Sequence, residues 1–395
     1  MFVVIALTIL AFIYGFTGWR LIVPATIGPV WKTVAWAVLV LSFILAPLPI
    51  ILHFAGIEAR WVNRLAWVTY TSLGFFLLLF VFMMTRDLLW GAGLAIQKLG
   101  GVFAHASDPA SPVIVSDPDR RRFLINASNL GVLALTASLS SYGLWAARRR
   151  PVVKNVTVEL ADLPPEFEGF RIAQITDLHV GPTIKRDWMQ AVVDDTNGLN
   201  ADLIAVTGDL VDGTVDSLRH DVEPIGQLKA PQGVYFVTGN HEYYSGVIPW
   251  IDEVRRLGLK VLLNEHQVIE RNGARMMLAG VTDYHGGGFK PDHTSDPHGA
   301  MANSPVCNPK LLLAHQPNSI FAAADAGYDL QISGHTHGGQ FFPGNWLARM
   351  AQPYIRGLHK HDKTWIYVSC GTGYWGPPLR VGAPSEITLI TLKRA

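Results

Sequence analysis

A chain of 395 residues with a formal net charge of +1 has room for two or three domains. It lacks the cationic excess of a general nucleic-acid surface, so no nucleic-acid partner is expected. Hydrophobic residues make up 49% and charged residues only 16%, which predicts that part of the chain lies outside water. The two cysteines, Cys307 and Cys370, are too few for a disulfide framework and lack the CxxC spacing of a thiolate zinc site. Two ordinary thiols are expected.

The chain reads as unlike parts, with expected boundaries at 1–104, 105–154 and 155–395. Residues 1–104 hold only eight charged residues. Val3–Trp19, Val34–Phe54 and Leu65–Met84 are each near the ~20 apolar residues that a helix needs to cross a bilayer. Trp19, Trp31, Trp61 and Trp67 fall near the ends of these runs, as interfacial anchors do. A fourth run, Leu88–Ala104, is interrupted by Gln97 and Lys98 and either spans or lies in the interface. The lack of acidic residues within the spans argues against a transporter.

Asp119-Arg120-Arg121-Arg122-Phe123-Leu124 precedes the apolar run Phe123–Ala147 and resembles a twin-arginine export signal. Asp119 stands where such signals carry Ser or Thr, Ile125 stands for their Lys, and the motif is internal. The alternative is a plain span with a basic flank. Arg120–Arg122 favour the cytoplasm before this span, whereas Arg148–Arg150 and Lys154 favour it after. The export resemblance then places the C-terminal part on the outer face of the inner (cell) membrane, behind a multi-pass anchor.

From Asn155 onward charges return. Strands are predicted at 155–160, 170–176, 201–207, 233–238, 260–264, 274–280, 310–315, 329–333, 365–369 and 386–392, from short apolar runs bounded by turn residues. Helices are predicted at Asp187–Leu199, Pro249–Leu257 and Asn318–Ala326. The expected fold class is α/β or α+β over about 240 residues.

Five of these strands end in side chains of metal-binding type, most of them beside a glycine: Asp177 and His179, Asp209, Asn240 and His241, His315, and His335 and His337. Strand-end loops are where α/β folds place their chemistry. One His after a strand is more often an ordinary core histidine, and one Gly-Asp is usually a turn. Five such endings in order are a strong signal. Carboxylates, an amide oxygen and imidazoles without thiolate suit Mn, Fe, Zn or Co. Seven ligands exceed one tetrahedral ion and suit two ions sharing a carboxylate, an arrangement that clamps in-line displacement at phosphorus.

Asp177-x-His179, Gly208-Asp209, Gly239-Asn240-His241-Glu242, His315 and Gly334-His335-x-His337 resemble the signature of calcineurin-like metallophosphoesterases, over about residues 165–393. His337-Gly338-Gly339-Gln340 is similar to the bacterial membrane-associated branch, which includes twin-arginine-exported phosphodiesterases and UDP-diacylglucosamine pyrophosphohydrolases; transmembrane proteins with a metallophosphoesterase domain lie near it. The resemblance implies a four-layer α/β/β/α sandwich and two divalent metal ions (Mn, Fe or Zn). It implies a first metal on Asp177, His179 and His337 and a second on Asn240, His315 and His335, with Asp209 bridging. His241 would be catalytic, beside the scissile phosphate.

Other residues carry weaker signals. His285, His293 and His298 with Asp283, Asp292 and Asp296 read as a solvated loop, with a further metal site the lesser alternative; Asp283, following a strand, is placed behind the ligands. Arg380 is a candidate substrate-binding contact to phosphate, or an ordinary surface Arg. Phe341, Phe342, Trp346, Leu347 and Met350 read as core packing, or as contact with membrane or a lipid tail. The chain is thus expected to be a membrane-anchored phosphoesterase of a phosphodiester or pyrophosphate, on a small-molecule or lipid substrate. The competing expectations are a general phosphatase or nucleotide phosphodiesterase, and a metal-binding membrane sensor or scaffold.

Overall fold

The computed structural model describes residues 2–57, 59–105 and 117–395. The first part is helical: α1 (Phe2–Leu21), α2 (Pro29–Leu45), α3 (Leu48–Phe54), α4 (Arg60–His105) and α5 (Pro118–Arg148). Val4–Leu21, Pro29–His53, Arg60–Gln97 and Pro118–Arg148 are long and apolar enough to cross a membrane. Pro29 sits at the first position of α2, where its missing N–H costs nothing.

The third and fourth apolar runs, expected as separate segments, form one helix. No proline interrupts Arg60–His105, and the 46 residues extend about 69 Å. The charged step inside α4 is satisfied by neighbouring helices rather than by a turn. Arg20 on α1 and Arg86 both pair with Asp87, at 2.6 and 2.8 Å, and Asn129 on α5 donates to the Arg20 carbonyl at 3.0 Å. The arginine cluster 120–122 and the apolar run behind it are likewise one continuous helix, α5.

The chain separates into two compact units, residues 1–55 with 68–142 and residues 56–67 with 143–395. The first has its own apolar centre at Ile13, Tyr14, Ile22 and Leu39, with the Tyr14 and Phe76 rings 4.7 Å apart.

The second unit is built from β1 (Val152–Leu160), β2 (Arg171–Ile175), α6 (Arg186–Gly198), β3 (Leu203–Val206), α7 (Val215–Val222), β4 (Val234–Phe236), α8 (Asn240–Tyr244), α9 (Val247–Arg256), β5 (Lys260–Val261), β6 (Glu265–Arg271), β7 (Ala274–Gly280), α10 (Pro297–Met301), β8 (Lys310–Leu313), α11 (Ile320–Ala326), β9 (Leu330–Ser333), α12 (Gly344–Ala351), β10 (Gly357–His361), β11 (Thr364–Val368) and β12 (Glu386–Arg394). One sheet runs β1-β12-β2-β3-β4-β5 and the other β10-β11-β9-β8-β7-β6. β2 to β5 are mutually parallel, as are β7, β8, β9 and β11; β12 is antiparallel to β2.

The inner strands read as unbroken apolar runs because each face meets a different core. Along β3, Leu203 and Ala205 face the other sheet while Ile204 and Val206 face α6, α7 and α9. Along β8, Leu311 and Leu313 join the inter-sheet core and Leu312 joins the core under α10 and α11. The period of two thus generates four layers, α/β/β/α, with the inter-sheet core in the middle. Every predicted strand is present. β6 and β10 were not anticipated: EHQVIER and GLHKH are edge strands, exposed on one side and correspondingly polar. The short helices α7, α8, α10 and α12 were also unanticipated.

Candidate metal centre

All five ligand-bearing loops leave the C-terminal ends of parallel strands, β2, β3, β4, β8 and β9. Just beneath them Gln174 donates to Thr207 Oγ1 (2.8 Å) and to the Ser333 carbonyl (2.9 Å), pinning the two sheets together at this edge.

The loops turn abruptly. Asp177, His179, Asp209, His335 and His337 have φ of 54°, 49°, 52°, 70° and 51°. Non-glycine residues are uncommon in this left-handed region, and such backbone costs of order 1–3 kcal/mol per residue. Five such residues in one place need a surrounding frame. Asp177 N donates to the Gly208 carbonyl (3.0 Å) and His179 N to the Asp209 carbonyl (3.1 Å). The buried Glu242 carboxylate accepts from the backbone N–H groups of Gly239, Asp209 and Leu210 at 2.6, 3.1 and 2.7 Å. His335 N donates to both oxygens of Asp177, at 3.0 Å each. Gly239 is required by proximity, since a Cβ there would fall on Asp209 Oδ1.

Among the described residues three candidate ligand groups result, two of them formed by residues singled out from sequence: Asp177, His179 and His337 in one, Asp209, His315 and His335 in the other. In the first, His179 Nε2 faces His337 Nε2 at 3.0 Å, and His337 Nε2 is 3.4 Å from Asp177 Oδ1. In the second, His315 Nε2 lies 3.0 Å from Asp209 Oδ2 and 3.2 Å from His335 Nδ1. Asp209 Oδ2 is also 3.9 Å from His179 Nε2, so this carboxylate lies between the groups. His315 Nδ1 donates to the Thr207 carbonyl at 2.8 Å, which leaves its Nε2 free for the centre. The Oδ1 atom of Asn240 is buried without a hydrogen-bond partner, an omission that costs about 1–3 kcal/mol unless a ligand fills it.

The electrostatics fit a cation. Burial disfavours a charged imidazole at His315, yet the Asp209 carboxylate overrides it and pushes His315 up to about 10. Burial and then the charge on His315 hold His335 down at about 3, and burial with Arg380 keeps His337 well below the usual range. Neutral imidazoles, carboxylates and an unpaired amide oxygen are the donor set that hard-to-borderline divalent ions take.

Sequence reasoning passed over Asp212. Its Oδ1 accepts from His241 Nδ1 (2.5 Å) and from His179 Nδ1 (3.2 Å). It groups with both histidines, and since it meets the Nδ1 atoms it orients the rings and leaves their Nε2 atoms facing inward. Burial would raise the Asp212 carboxyl, but the two histidines hold it well below the usual carboxylate range. Burial opposes a proton on His241, and Asp209 and then Asp212 raise it to about 9. The spacing Gly208-Asp209-x-x-Asp212 was the available signal. Trp375 and Tyr244 flank His241, with ring centroids at 5.5 and 5.2 Å.

Of the two alternatives for Arg380, a phosphate contact or an ordinary surface Arg, burial rules out the second. Arg380 is only 1% exposed, and its guanidinium donates to the carbonyls of His337 (2.9 Å) and Cys370 (2.7 Å) and to the Gly373 carbonyl, and lies 3.0 Å from His337 Nδ1. It braces the His337 loop from behind. Asp283 is buried behind the site and accepts from Gln316 Nε2 at 3.0 Å. The remaining loop residues disperse: Tyr243 Oη meets His293 Nδ1 (2.9 Å), His298 pairs with Asp325 (3.1 Å), and Asp296 caps α10.

Comparison with known proteins agrees with this geometry. The family model for calcineurin-like phosphoesterase matches residues 170–339. A transmembrane protein with metallophosphoesterase domain from Danio rerio is 34% identical over 346 residues, covering 86% of this chain and 75% of its own. An uncharacterized metallophosphoesterase from Helicobacter pylori is 36% identical over 277 residues, 70% of this chain and 73% of its own. The Bacillus subtilis uncharacterized metallophosphoesterase YkuE is 30% identical over 287 residues, 69% of this chain and 97% of its own. The chain belongs to the calcineurin-like metallophosphoesterases, hydrolases of phosphoric esters.

Proposed function

We propose that this phosphoesterase cleaves a phosphodiester or pyrophosphate bond at a dinuclear centre, on a lipid-linked substrate of the UDP-diacylglucosamine kind. Asp177, His179 and His337 would hold one divalent ion and Asn240, His315 and His335 the other, with the Asp209 carboxylate available to both. Metal bound there would supply Lewis-acid charge and would activate a water at neutral pH. The observation that carries the reading is Asp209 Oδ2, which lies 3.0 Å from His315 of one group and 3.9 Å from His179 of the other.

The protein's own part centres on His241. Nδ1 is held by Asp212, so Nε2 faces the centre, 4.0 Å from Asp209 Oδ2. The Asp209 and Asp212 carboxylates both raise the pKa of His241 against burial, which favours the protonated ring. It neutralises the phosphate and gives its Nε2 proton to the leaving oxygen. The lipid-linked substrate is supported by the four membrane-length helices carried on the same chain. The export-like arginine motif supports an outer-face position at the cell membrane.

The test uses the full chain in detergent micelles. Metal analysis is expected to find two divalent ions per chain, and bis(p-nitrophenyl) phosphate is expected to be hydrolysed. Asp209→Ala should lose both, and His241→Ala should lose turnover while keeping the metal. Folded protein without transition metal removes the basis of the reading. Turnover of the soluble ester without any of a lipid pyrophosphate removes the lipid substrate alone.

A further inference from the structure

The loop carrying His337 continues directly into α12, a helix that the protein holds only by its ends. At its start the Phe342 and Trp346 rings meet edge to face at 5.1 Å. At its end the buried Gln352 donates to Gln316 Oε1 and accepts from Asn318 N, each at 3.2 Å. Between these tethers no residue of α12 is buried. Trp346, Leu347 and Met350 are 61%, 64% and 85% exposed. At about 100° per residue they share an arc of about 100°, a single apolar face. Three large, exposed side chains on one face of a short, unburied helix form an apolar patch, with Trp346 packed along one edge on Phe342.

From the geometry we infer that α12 is a membrane-docking element, with its apolar face in an anionic lipid surface. Two further observations choose the lipid over a protein partner. Residues 341–363 carry Arg349, Arg356, Lys360 and Lys363 against Asp362 alone, the charge that an anionic leaflet attracts. The same chain carries four helices of membrane-crossing length, so a bilayer is within reach wherever this unit sits. A tryptophan beside an arginine on a short amphipathic helix is the composition of an interfacial anchor. Gln340, the residue after the His337 turn, donates to the carbonyls of Trp375 (3.0 Å) and Pro377 (2.8 Å). Gln340, four residues before the start of α12, thus ties the segment leading into the docking helix to the backbone at Trp375, whose ring lies beside His241. This reading does not depend on the chemistry proposed for the centre.

The test is depth, not catalysis. The full chain is reconstituted in nanodiscs of phosphatidylcholine with phosphatidylglycerol, carrying an environment-sensitive thiol label introduced by Met350→Cys. Val306→Cys, at a 97% exposed position on the same unit, is the control; the native Cys307 and Cys370 are buried. Doxyl-lipid quenching at position 350 is expected to exceed the control by roughly twofold or more, with shielding from aqueous iodide. It should weaken when phosphatidylglycerol is omitted. A position 350 open to iodide overturns the proposal. So does one shielded from both quenchers, which means a protein surface covers it. If labelling unfolds the protein, brominated-lipid quenching of unlabelled chain, read as wild type minus Trp346→Phe, gives the same decision: a difference supports docking and none refutes it.

Discussion

Asp212→Asn, read at saturating metal because Asp212 also meets His179, tests the role of the carboxylate that orients His241. His241 is raised from 6.5 to about 9 against the opposing effect of burial. That gap is worth about 3.4 kcal/mol, at about 1.36 kcal/mol per unit. Asp209 contributes charge from 4.0 Å, whereas Asp212 contributes both charge and a 2.5 Å hydrogen bond. Assigning Asp212 a little over half gives about 2 kcal/mol, or a fall in the His241 pKa of roughly 1.5 units. The proposed acid works protonated, so activity is present below its pKa and lost as pH rises through it. The alkaline limb of kcat/KM for bis(p-nitrophenyl) phosphate, measured at saturating metal, should therefore move down by about 1.5 units, giving roughly a tenfold deficit near pH 8.5 and little near pH 6. His241→Gln should remove the limb altogether. An unmoved limb, or the same loss at every pH, would refute the assignment of Asp212 to His241.

Gly239→Ala puts a Cβ onto Asp209 Oδ1 and within 2.5 Å of Asp209 N, so the bridging carboxylate must move; overpacking of this kind costs about 1–3 kcal/mol. Metal content should fall together with activity, and a variant with full metal occupancy would contradict the packing argument. Arg380→Met leaves the buried carbonyls of His337 and Cys370 without their donor. A loss of about 3 kcal/mol, or a drop in Tm of about 10 °C, should follow, with weaker metal retention. An unchanged Tm would show that these carbonyls find other partners.

Sequence alone reached most of this arrangement, for a physical reason. Chemistry-bearing residues that follow apolar runs are placed by the sheet, and the runs at β2, β3, β4, β8 and β9 are apolar on both faces because both faces are covered. What stayed hidden depends on the third dimension. Asp212 follows Asp209 by three residues with nothing in the chain to set it apart from a surface carboxylate. Arg380 looks like any charged residue in a turn, and its burial is decided by the carbonyls of His337 and Cys370, which lie more than a few residues away. β6 and β10 alternate too weakly at a sheet edge to be told from loops. The charges of Arg86 and Asp87 suggested a break in α4, whereas Arg20 supplies the partner that lets the helix continue.

The left-handed backbone at Asp177, His179, Asp209, His335 and His337 bears on how this protein tolerates change. Glycine adopts that conformation freely, so replacing one of these residues by glycine relieves local tension while deleting a ligand. The relief is opposed by the frame, because Asp177 accepts from His335 N and Asp209 from His241 N, and a glycine would leave those partly buried donors unpaired. Backbone preference alone favours glycine at these positions, so the five side chains there are held by what they bond and by the metal ions proposed for them.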